Sequence, residues 1–92
     1  MPQFRIPGPL RRLSEGHTTV DVEATDVVGA IVALDAAYPG FKDRLLDENG
    51  ELRQFVNLYL NDEDVRLVGS GLGAKVAAKD EISIVPAVAG GL

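Results

Sequence analysis

Residues 18–40 read TTVDVEATDVVGAIVALDAAYPG, and the hydrophobic period changes inside them. Over residues 18–23 apolar and polar side chains alternate, Val20 and Val22 against Thr19, Asp21 and Glu23, which is the two-residue repeat of a strand with one buried face. From Asp26 onward Val27, Ile31, Leu34 and Tyr38 fall at i, i+4, i+7 and i+11, a single stripe of a helix. Thr25 or Asp26 caps its start, since either side chain offers an oxygen to the first unpaired amides. Pro39-Gly40 stops it, because proline cannot continue the ladder and glycine suits the turn beyond a helix.

Working outward, residues 3–7 form a short strand with Phe4 and Ile6 on one side, broken by Pro7-Gly8-Pro9. On the other flank, residues 41–46 add a short helical turn and Asn49-Gly50 signals a reversal. Residues 55–60, FVNLYL, are the most strand-like run in the chain. Val56, Leu58 and Leu60 share one face there; Phe55, Asn57 and Tyr59 share the other. A polar turn at Asn61-Asp62-Glu63-Asp64 leads into a brief apolar segment, residues 65–68, read as a short strand. Residues 69–73 are a glycine-rich loop, and Lys79-Asp80 turns into a last strand, residues 81–85, with Ile82 and Ile84 inward.

This order predicts an α+β domain, a mixed sheet of four to five strands with one main helix across one face. The expected core is Phe4, Ile6, Val20, Val22, Val27, Ile31, Leu34, Val56, Leu58, Leu60, Ile82 and Ile84. The expected organisation is one folded domain over residues 1–86 and a flexible tail over 87–92, where Ala87, Val88, Ala89, Gly90, Gly91 and Leu92 show neither period. No second domain or repeat is visible.

Composition narrows the function. A chain of 92 residues supports one modest core, and its 46% hydrophobic and 25% charged content is that of an ordinary globular domain. There is no cysteine, hence no disulfide framework and no thiolate, which fits a reducing cytoplasm. No apolar run approaches the roughly 20 residues a membrane helix needs, so a membrane is not an expected partner. A net charge of -5 repels phosphate backbones and argues against nucleic acid; a basic protein partner suits it better.

The chemistry-bearing residue types do not assemble into a catalytic set. His17 is the only histidine and has no second ligand to share a metal, so it reads as a loop residue. Asp62-Glu63-Asp64 lacks the ligand spacing and distal glutamate of a calcium loop. Gly69-Ser70-Gly71-Leu72-Gly73 has no lysine and hydroxyl at the spacing a phosphate loop requires. No serine or threonine sits beside a base, and the chain is not expected to be an enzyme. The strip of Phe55, Asn57 and Tyr59 reads equally as plain sheet surface or as a protein-binding face.

The tail resists a structural explanation. Gly90 and Gly91 have no side chain to pack and lose the most conformational freedom on ordering. Without Cβ atoms, however, they can thread a channel too narrow for any other pair.

The ending from Asp80 to Gly91, together with Phe55-Val56-Asn57-Leu58-Tyr59-Leu60-Asn61-Asp62-Glu63-Asp64-Val65-Arg66, resembles the MoaD/ThiS family of ubiquitin-like sulfur carriers, and the resemblance covers nearly the whole chain. It implies a β-grasp fold. It also implies a cycle in which an E1-like enzyme uses ATP to adenylate the carboxylate of Gly91, and a sulfur donor displaces AMP to leave a thiocarboxylate. A partner synthase then receives the sulfur. In the cysteine-forming branch of the family that synthase is a pyridoxal-phosphate enzyme; thiamine, molybdopterin and other sulfur metabolites are the other destinations. The carrier itself binds no cofactor. Phe55, Asn57, Tyr59, Val85 and Val88 are the expected docking residues, beside the sulfur-carrying Gly90 and Gly91. Family members that act directly end at the second glycine, whereas Leu92 follows Gly91 here. Either a peptidase, a metallopeptidase in this setting, removes Leu92, or Leu92 is foreign to the natural chain. A ubiquitin-like modifier forming isopeptide bonds and a non-covalent β-grasp binding module are the alternatives.

Overall fold

The computed structural model describes residues 1–54 and 56–86. The expectations for Phe55, Val88, Gly90, Gly91 and Leu92, and for the 87–92 tail as a whole, lie outside the described residues.

The strands are β1 (Gln3–Arg5), β2 (Thr19–Asp21), β3 (Val56–Leu60), β4 (Glu63–Asp64) and β5 (Glu81–Pro86), with helices α1 (Val27–Ala37) and α2 (Phe41–Leu45) between β2 and β3. They form a five-stranded sheet in the order β2-β1-β5-β3-β4. Phe4 stands opposite Val20 on antiparallel β2 and beside Ile82 on parallel β5. On the other side of β5, Leu58 faces Ile84 and Leu60 faces Ile82 in antiparallel register with β3. Directly paired residues put their side chains on one face, so this register assembles the inner face, against which α1 buries Val27, Ala30, Ile31 and Leu34. The architecture is the expected mixed sheet under one main helix.

The helix limits follow from side-chain chemistry. Asp26 is the cap: its Oδ1 accepts from the Gly29 amide at 2.7 Å. At the other end α1 stops at Ala37, so Tyr38, the last residue of the expected stripe, is its C-cap. Asp35 Oδ1 accepts from the amides of Gly40 and Lys42 at 3.0 and 3.1 Å, folding the chain straight into α2. Gly40 has φ 111°, a left-handed conformation that a side chain would strain.

Every expected core residue is buried except Val56 and Leu60, which are half-buried and packed against the core. On its outer side β3 pairs with the two residues of β4, opposite Tyr59 and Leu60, and the turn Val65–Leu67 packs beside it. The core also takes in Leu10, Phe41, Leu45, Leu46, Val65 and Ala74, which strand and helix periods did not single out.

The expected short strand over residues 65–68 is not a strand. Pairing falls one step earlier, at β4, and Val65–Leu67 is a 3-10 turn. Asp64 Oδ1 accepts from the Arg66 amide at 2.8 Å, and this local bond competes with the ladder and turns the chain. Val65 enters the core while Leu67 is 81% exposed. The glycine-rich loop likewise tightens into a second 3-10 turn, Gly71–Gly73. Among the described residues no helix is long and apolar enough to cross a membrane.

Candidate partner-docking site

On the face of the sheet opposite α1, among the described residues, Asn57, Tyr59 and Ser83 are half-buried and Val85 is exposed. The same register that pairs inner residues places Asn57 opposite Val85 and Tyr59 opposite Ser83, with Asp64 on the far side of Tyr59 and Arg5 beside Ser83. Asn57 and Tyr59 are half-buried and Val85 is 43% exposed. The structure therefore brings three of the expected docking residues, Asn57, Tyr59 and Val85, onto one surface. Arg5 Nη1 lies 3.5 Å from Glu81 Oε2 on that surface, a solvated pair of little energetic weight.

Position along the strands matters as much as face. β5 runs antiparallel to β3, and its last residue, Pro86, stands opposite Val56. The chain thus leaves the sheet beside the first residues of β3, with Asn57 and Val85 as the last outward pair. At this exit sits a residue to which sequence reasoning gave no role. Arg66 Nη1 donates to Asn57 Oδ1 at 2.5 Å and Nη2 donates to the Arg53 carbonyl at 2.6 Å. Arg53 Nε in turn donates to the Asp43 carbonyl at 2.7 Å. The Arg66 guanidinium therefore lies against Asn57 beside the tail exit, in a chain of net charge -5. Nothing in the local pattern at Arg66 announces this, because its partner is a neutral side chain on another strand.

The opposite end of β5 is pinned by different chemistry. Asn61, in a left-handed conformation with φ 59° that asparagine tolerates well, donates its amide to the Glu81 carbonyl at 2.7 Å, accepts from the Glu81 amide on Oδ1 at 3.0 Å and donates from Nδ2 to Asp80 Oδ1 at 3.2 Å. The Ala77 amide donates to Asp80 Oδ2 at 2.8 Å. The Ala77 amide, and after it the Asn61 side chain, holds the Asp80 carboxyl below its ordinary value. His17 lies on an exposed loop, its ring 6.1 Å from that of Tyr38. Among the described residues no three His, Cys, Asp or Glu side chains stand together as a metal site requires.

A five-stranded mixed sheet under one main helix, with the last of the described strands central, defines a β-grasp protein of the ubiquitin-like class. The chain belongs to the ThiS family, whose match extends over residues 4–91 and so includes both glycines of the tail. It is 45% identical over 89 residues, 94% of each chain, to the sulfur carrier protein CysO of Mycobacterium tuberculosis. It is 37% identical to small archaeal modifier protein 1 of Haloferax volcanii, covering 97% of this chain and 99% of that one. Among solved structures, the Amycolatopsis orientalis BexX/CysO complex matches with a TM-score of 0.90 and 38% identity, over 96% of this chain and 97% of that one. The relatives bearing these names are carriers and modifiers, not catalysts.

Proposed function

We propose that this protein carries sulfur as a thiocarboxylate on Gly91. The observation that carries the reading is the family match running through residue 91, the second glycine, in a chain 45% identical to a named sulfur carrier. An E1-like enzyme adenylates the Gly91 carboxylate: its oxygen attacks the α-phosphate of ATP and pyrophosphate departs. A sulfur donor then attacks the acyl carbon, AMP departs, and the thiocarboxylate passes its sulfur to a synthase. By likeness to CysO the product is cysteine and the synthase a pyridoxal-phosphate enzyme, with the whole cycle cytoplasmic. The chain contributes docking through Phe55, Asn57, Tyr59, Val85 and Val88, and reach through its tail. The nucleophile and the electrophile belong to its partners, as with other group carriers.

Leu92 has a defined consequence in this scheme. With Leu92 attached, the Gly91 carbonyl is a planar amide, whose oxygen is a poor nucleophile. The remaining carboxylate lies one residue further on, about 3.3–3.6 Å of extended chain, behind a branched side chain. A 1 Å misplacement at a reacting centre costs about 10²-fold. Leu92 is therefore removed first, by a metallopeptidase.

Mass spectrometry of the protein purified from its own cells tests the reading. A sulfur-for-oxygen exchange at a terminal Gly91 is expected. A ladder of isopeptide conjugates without it would make the protein a modifier, and neither species would make it a binding module. In parallel, the chain ending at Gly91 and the chain ending at Leu92 are each mixed with the activating enzyme, ATP and a sulfur source; equal thiocarboxylate yields with Leu92 retained would overturn the processing step.

A further inference from the structure

The hydrogen bond between Arg66 and Asn57 fixes more than a turn. A guanidinium carries only donors, so the atom of the Asn57 amide that faces it at 2.5 Å must be the carbonyl oxygen. The amide nitrogen is thereby aimed away from Arg66. It meets no acceptor among the described residues, and it sits on the outer face of the sheet beside Val85, where the chain leaves β5. Arg66 is itself exposed, and two of its five donors are used. The tail exit thus presents a neutral two-proton donor and a cationic donor side by side, both oriented by bonds within the protein. Their complement is one anionic group with two acceptor oxygens, because hydrogen bonds to ionised partners are about twice as strong as neutral ones.

We propose that the Asn57 amide nitrogen and the Arg66 guanidinium together bind a carboxylate of the activating enzyme, and that this contact sets the point from which the tail enters its channel. The proposal rests on the outer sheet face being the docking surface. It reverses, at this one spot, the expectation that an acidic carrier meets a basic partner: the surface charge of -5 in total does not describe the charge at the tail exit.

The discriminating variant is Asn57→Asp. Aspartate still accepts from Arg66, so the clamp and the fold persist, with a thermal midpoint close to that of the unaltered chain. What changes is the outward group, from a donor to an anion facing an anion. Binding to the cognate activating enzyme without ATP, measured by calorimetry, should weaken at least about tenfold, the loss expected for one hydrogen bond to a charged group. It should weaken more than for Asn57→Ala, which removes the donor without adding charge. If Asn57→Asp binds no more weakly than Asn57→Ala, the partner group is not a carboxylate and the proposal fails. If Asn57→Asp binds as the unaltered chain does while Tyr59→Ala weakens binding, the docking face stands and the role given to Asn57 falls. If neither variant changes affinity, the docking face itself is wrong and the proposal falls with it.

Discussion

The inner and outer faces of β3 and β5 are built from alternate residues of the same two segments, yet they obey different rules. Inward, Leu58, Ile82 and Ile84 are fully or almost fully buried and belong to the apolar core that they share with α1. Outward, Asn57, Tyr59, Ser83 and Val85 stay partly in water. Burial makes the inner face intolerant of lost volume, whereas the outer face can be altered at little cost to the fold. The difference shows how a domain this small separates two tasks. One residue step along a strand moves from what holds the molecule together to what it offers a partner.

The comparison can be broken most forcefully at Leu58, which is 0% exposed. Leu58→Ala should cost about 2–5 kcal/mol, from lost burial plus the cavity left behind, a large part of the stability of a domain this size. An unchanged denaturation midpoint would mean that the faces are assigned the wrong way round. The next residue sharpens the contrast. Tyr59→Ala should weaken binding to the activating enzyme by at least about 1 kcal/mol, the level at which an interface residue counts energetically. Its own unfolding midpoint should move far less than that of Leu58→Ala, by the fraction of a kcal/mol to about 1 kcal/mol typical of a cross-strand pair. A Tyr59→Ala chain that loses stability but not affinity would return this face to plain sheet surface.

The smallest effect concerns the bonds that keep the two faces from exchanging. A slip of one residue between β3 and β5 would turn every side chain to the other side, and Asn61 and Asp80 pin the register at their shared end. The Asp80 carboxyl is held below its ordinary value near 3.8. A group whose pKa is depressed on folding stabilises the folded state above its unfolded pKa, and that contribution is lost as pH falls through the folded value. Acid titration of stability should therefore show a loss below about pH 4 that is reduced in Asp80→Asn. Identical curves for the two chains would remove Asp80 from the acid response.

Much of this division was legible from residue order. The alternation around Val20 and Val22, the stripe from Val27 to Leu34, and the opposition of Leu58 to Asn57 and Tyr59 are local patterns that tertiary packing left intact. The core contributions of Phe41, Leu45 and Leu46 were hidden because a five-residue helix is too short to display a period. Val65 and Ala74 lie in or beside 3-10 turns, and only the closed fold shows that they face inward. The segment after Asp64 misled for a different reason: its run of apolar residues suits a strand, but the Asp64 side chain takes the Arg66 amide and bends the backbone first. The Arg66 clamp was invisible because it joins a charged residue to a neutral one nine positions away, across a turn that the sequence placed differently.

The position of β5 has a consequence for biosynthesis. Among the described strands it leaves the ribosome after the other four, yet it is the middle strand of the sheet, and its parallel pairing joins Gln3 to Glu81. A nascent chain that has reached only residue 80 holds the β2-β1 and β3-β4 pairs without the strand that joins them, and isolated two-stranded pairs are marginal in water. Closure must wait for a contact spanning nearly the whole sequence, the kind that slows folding most. A prematurely terminated product therefore stays open to proteases, and a molecule able to present residues 87–92 from a finished sheet is one whose synthesis has passed β5. With this strand at the centre, closure of the sheet reports that synthesis has passed Pro86.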